Sequence, residues 1–68
     1  MRKILHTVTC TVYQPAFNAH EQFTRHLTRP YPLTLRGIER LFKHGCPEYP
    51  AMPEVRVIRV QKAHYSPR

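Results

Sequence analysis

The sequence predicts a small α+β domain. Its order is strand, strand, helix, strand, with a three-stranded mixed or antiparallel sheet and one helix packed on one face. Three observations predict it. Residues 3–13 alternate with period two, residues 34–45 carry an apolar helical stripe between a cap and a stop, and an apolar alternating segment follows a proline-rich loop.

The first strand has Ile4, His6, Val8, Cys10 and Val12 on one side. Leu5, Thr7, Thr9, Thr11 and Tyr13 take the other. Threonine and valine at that spacing suit a half-buried strand. Gln14-Pro15-Ala16-Phe17-Asn18 ends it, because Pro15 has no ladder donor and Asn18 suits a turn.

Residues 21–28 fit two patterns. As a helix, Asn18 would cap it, Glu21 would complete a capping box, and Ala19, Phe23 and Leu27 would align. As a strand, Phe23 and Leu27 share a face. The strand is preferred, since a hairpin is the shortest way to give the first strand a neighbour. Arg29-Pro30-Tyr31-Pro32 is a stiff extended connector.

Thr34 is the expected N-cap of the helix. Leu35, Ile38, Leu41 and Phe42 form its apolar stripe. Lys43 and His44 suit the negative end of the helix dipole, Gly45 suits the C′ position, and Pro47 prevents continuation. Gly37 weakens the helix and is read as allowing close packing on the sheet.

The loop 46–53 contains three prolines. A last strand is expected from Glu54 to about His64. Val55 and Val57 share one phase and Ile58 and Val60 the other, which implies a β-bulge or a strand buried on both faces. Residues 65–68 are expected to fray.

Composition narrows the function. The chain has 68 residues, enough for one domain. Apolar residues make up 41%, a globular rather than a disordered proportion. Eleven Lys and Arg face four acidic residues, all Glu, for a net charge of +7. No catalytic device that needs Asp is available, and the sign of the charge excludes an acidic mimic of DNA. No stretch approaches the roughly 20 apolar residues of a membrane helix, so no membrane partner is expected. Met1-Arg2-Lys3-Ile4-Leu5 is not read as a signal peptide, because His6, Thr7, Thr9 and Thr11 interrupt the apolar run. The expected location is the cytoplasm, with Cys10 and Cys46 as thiols.

The middle of the chain resembles a family of short lambdoid phage and prophage proteins of unknown function. The likeness lies in Thr11-Val12-Tyr13-Gln14-Pro15, in Phe23-Thr24-Arg25, and in Leu33-Thr34 opening a helix with Glu39-Arg40-Leu41-Phe42. It covers about residues 9–43. In that family a Cys stands directly before the helix Glu; here the position is Ile38, so no role of that Cys carries over. The resemblance implies a phage-type origin and, if phage-encoded, the host cytoplasm. It implies no activity. The last strand is more loosely similar to the basic final strand of small phage inhibitors of host RNA polymerase.

The candidate binding residues are basic. Arg36, Arg40 and Lys43 lie on the outer helix face, Arg56, Arg59 and Lys62 on the last strand, and Arg25 and Arg29 in the hairpin region. Tyr31 and Tyr49 could stack on bases. Such a face attracts an acidic surface of a host protein or nucleoprotein complex by steering, or nucleic acid directly by counterion release. The expected function is a non-enzymatic accessory protein that binds and modulates a host protein, as a monomer or an edge-strand homodimer. Direct nucleic-acid binding is the alternative.

Metal and catalytic readings are weaker. His6 and Cys10 would lie about 13 Å apart on a strand, at about 3.3 Å per residue, too far to share an ion. Cys10, His44 and Cys46 could meet as a zinc site, but without a clear fourth ligand. The bland reading has Cys10 in the core and His6 at the sheet margin. No cofactor and no catalytic residue is assigned. Cys46 sits at a helix C-terminus, the wrong end for a thiolate, and the four Glu are scattered. The five histidines are read as separate surface residues.

Overall fold

A computed structural model describes residues 3–65. The order is β1 (Lys3–Gln14), β2 (Ala19–Arg29), α1 (Leu35–His44) and β3 (Arg56–Tyr65). The sheet order is β2-β1-β3, and both pairings are antiparallel. The domain is therefore α+β, with β1 at its centre. The expected fraying covers 65–68; the backbone of Tyr65 instead ends β3 opposite Lys3, and 66–68 lie outside the described residues.

Residues 19–29 form a strand. β1 and β2 pair in an unbroken register from Ile4 with Arg29 to Gln14 with Ala19. Eleven cross-strand pairs outweigh the single capping box of the helical alternative. The turn closes through Phe17 N–H to Gln14 O at 3.1 Å, with Asn18 in the left-handed region at φ 49°. β3 covers only Lys3–Thr11 of β1, so the hairpin tip projects as two strands and the molecule is 44 Å long.

The phase change in β3 is a bulge. Thr9 pairs with Arg59 and Cys10 with Val57, leaving Ile58 as the extra residue. Ile58 is 52% exposed, so the strand is not buried on both faces.

Thr34 caps α1, its Oγ1 accepting from Gly37 N–H at 3.0 Å. A Cβ on Gly37 would meet that hydroxyl at 3.1 Å and not the sheet, which corrects the reading of this glycine as a packing notch. At the other end, Gly45 has φ 93° and its Cβ position lies 3.1 Å from Ala51 N, so glycine is required there. Ile38 and Phe42 seat the helix on Val8, Cys10, Leu27 and Val57, and Val55 completes the core. Cys10 is in that core, as its alternation implies.

His6 is not at the sheet margin and is not a surface residue. It is wholly buried on the helix side of β1. Its Nδ1–H donates to Leu27 O at 3.1 Å, and its Nε2 accepts from Leu33 N–H at 3.0 Å. A carbonyl on one side and an amide N–H on the other fix one neutral tautomer. The ring thus ties β1 and β2 to the connector one residue before the helix cap. Position alone could not reveal this, because the period-two pattern says which way His6 points and not what lies there.

Replacing His6 by Leu strands the Leu33 N–H and the Leu27 carbonyl. The expected loss is about 2–3 kcal/mol, against about 1 kcal/mol for Thr34→Ala. Urea denaturation followed by circular dichroism measures both.

Candidate binding groove

The helix exposes one stripe because Ile38 and Phe42 are turned inward. Arg36, Arg40 and Lys43 recur at i, i+4 and i+7, so they lie along one side of α1. Beside them is the start of β3. Together with Leu35, Glu39, His44 and Arg56 they line a shallow hollow of about 530 Å³. A small-molecule site is mostly apolar and enclosing; this one is open and walled by cations.

Glu39 lies in this groove and is structurally committed. Its Oε2 accepts from Val57 N–H at 3.0 Å on the outer edge of β3, and its Oε1 lies 3.6 Å from Lys43 Nζ. The backbone N–H chiefly, with Lys43 and Arg56, holds its carboxyl below the usual range despite partial desolvation.

The other basic residues are distributed differently. Register places Arg59 opposite Thr9 on the sheet face away from the helix. Arg56, opposite Thr11, also starts from that face but lines the groove, so it joins the two at the β3 edge. Lys62 pairs with His6 and lines a separate hollow with Ile4, Pro32 and His64.

Arg25 and Arg29 belong to the opposite side, where the loop after the helix folds over β2. Arg29 grips Glu48 with two hydrogen bonds, the longer at 3.2 Å. Arg25 lies 4.6 Å over the Phe23 ring and 5.6 Å from the Tyr49 ring. The Tyr49 ring packs edge-on against Phe42, and its hydroxyl accepts from His26 N–H at 3.2 Å while donating to His26 O at 2.7 Å. Tyr49 therefore caps the outer edge of β2 and is half-buried, unlike Tyr31, which is 55% exposed. Of the expected binding residues, the fold gathers Arg36, Arg40, Lys43 and Arg56, leaves Arg59 and Lys62 on neighbouring surfaces, and spends Arg25, Arg29 and Tyr49 on structure.

No group of three His, Cys, Asp or Glu residues assembles among the described residues, so Cys10, His44 and Cys46 do not meet. Cys10 is buried in the core, where burial pushes its thiol up against the opposing effect of Arg25. His44 is exposed at the helix end. No helix among the described residues is long and apolar enough to cross a membrane.

Comparison of the chain with known protein families, with curated proteins and with solved structures finds no match.

Arg29 lowers the Glu48 carboxyl from its ordinary 4.5 to about 2. A lowered carboxyl stabilises the fold above the unfolded value and ceases to do so as pH falls through the folded one. Stability should therefore decline between pH 4.5 and about 2. Glu48→Gln should remove that part of the decline and, because the pair is partly solvated, cost no more than about 1 kcal/mol at neutral pH. Thermal melts of both proteins across the acid range check it.

Proposed function

We propose that the protein is a non-enzymatic binding protein that holds a polyanion in the groove between α1 and β3, with the sugar–phosphate backbone of a nucleic acid as the partner that suits it best. One observation carries this reading: Arg36, Arg40, Lys43 and Arg56, from two separate elements, line one hollow. Exposed guanidinium and ammonium groups meet phosphate oxygens directly and release condensed counterions. The charge also continues past the groove through Arg56 to Arg59, as a partner extended along the surface requires.

A second reading, an acidic surface of a host protein, is favoured by Glu39. A carboxylate among the groove cations fits a mosaic protein surface better than a uniform row of phosphates. In either case the action is occlusion, the mechanism open to a domain this small. A phage-type origin, which only the sequence likeness implies, would put the partner in a host bacterium, with its transcription or defence machinery as the target of such occlusion.

The nucleic-acid reading predicts retention on heparin and a mobility shift that weakens steeply with salt. Each of Arg36→Ala, Arg40→Ala and Arg56→Ala should flatten the dependence of log K on log salt by about one. Glu39→Gln should strengthen binding. Absence of any shift, with one defined protein co-purifying after nuclease treatment, would replace this reading by the second.

A further inference from the structure

The helix covers one face of the sheet; among the described residues the other is uncovered, and its composition is unusual for this chain. Register assigns it the odd-numbered residues of β1, with His20, Gln22, Thr24, His26 and Thr28 from β2 and Arg59 and Gln61 from β3. None of these is a carboxylate. All four glutamates lie elsewhere: Glu21 on the covered side of β2, Glu39 on the helix, and Glu48 and Glu54 in the loops around it. A polyanion laid on this face meets Lys3 and Arg59 and, among the described residues, no opposing charge.

The face also has an aromatic end. Tyr13 pairs with His20 beyond the part of β1 that β3 covers, and the two rings lie 5.3 Å apart at 56°. The Tyr13 hydroxyl donates to Asn18 Oδ1 at 2.6 Å, which holds the ring while leaving the residue 44% exposed. A ring already held in place loses little rotamer entropy on stacking. Thr11 stands between the aromatic end and Arg59, and Thr9 lies opposite Arg59; each hydroxyl can donate and accept.

We propose that this uncovered face is a platform for single-stranded nucleic acid, with Tyr13 and His20 stacking on bases and Arg59 meeting the backbone. The proposal rests on the nucleic-acid reading of the groove and deepens it by naming the form of the ligand. A duplex hides its base faces and is read through its grooves. The three-stranded part is too broad to enter a groove, and the projecting two-stranded tip, residues 12–21, carries Glu21 and no Lys or Arg, so it does not suit a groove walled by phosphates. A single strand presents unstacked bases and free base edges, which aromatic rings and neutral hydrogen-bonding side chains recognise. Arg56 connects this face to the helical groove, so one strand can engage both.

Fluorescence anisotropy of the full chain with labelled oligothymidine, and with a duplex of equal length, tests the proposal. Wild type should bind the single strand more tightly. Tyr13→Leu/His20→Thr, which keeps strand-forming residues, should weaken oligothymidine binding about tenfold while leaving the salt dependence and duplex binding unchanged. Circular dichroism confirms the fold of the variant. Wild-type affinity in this folded variant, or equal wild-type affinity for duplex and single strand, overturns the platform. If Arg36→Ala/Arg40→Ala abolishes binding while the face variant does not, the groove reading stands and the platform falls. If wild type binds neither probe, both fall.

Discussion

The rest of the fold is organised around the buried imidazole of His6. A neutral ring can donate from one nitrogen and accept at the other, and here both are used across segments that are distant in sequence. One bond goes to β2, the other to the connector that delivers the chain to Thr34. The helix has only ten residues, too few to be stable alone in water, so its position depends on what holds its ends. His6 holds the approach. Gly45 and the bond from Met52 N–H to Phe42 O hold the exit. Between them, Ile38 and Phe42 reach the sheet. Turning those two inward is what turns Arg36 and Arg40 outward.

The sheet has two outer edges, and each is closed at one point by a side chain. Tyr49 satisfies the N–H and C=O of His26 on β2, and Glu39 satisfies the N–H of Val57 on β3. Exposed edges invite pairing with other chains, and these contacts blunt them where the helix and its loop can reach. The same contacts set the charge pattern. Glu39 and Glu48 are drawn to the helix layer and neutralise Lys43 and Arg29 there. Among the described residues the uncovered face receives no carboxylate, so much of their net positive charge is unopposed along the β3 side of the molecule.

Much of this was readable from residue order. The alternation of residues 3–13, the cap at Thr34, the stop at Gly45 and the phase break at Ile58 are local signals, and local geometry honours them. The helical stripe of Arg36, Arg40 and Lys43 was readable for the same reason, since helical spacing fixes which residues share a side. Residues 19–29 were ambiguous because their local pattern satisfies two periods; pairing with β1 resolved it.

What order could not supply is which distant groups meet. Arg25, Arg29 and Tyr49 look like free binding residues in the sequence, yet long-range contacts to Phe23, Glu48 and His26 occupy them. His6 has the same phase as Cys10, and only the arrival of Leu33 makes it a link. The sequence by itself determined β1, α1 and the bulged last strand, their faces and the excess of positive charge, because these follow from short-range periodicity and composition. Tertiary structure alone decided which cations share a groove and which face is free of carboxylates, because both depend on the register of strands far apart in the chain.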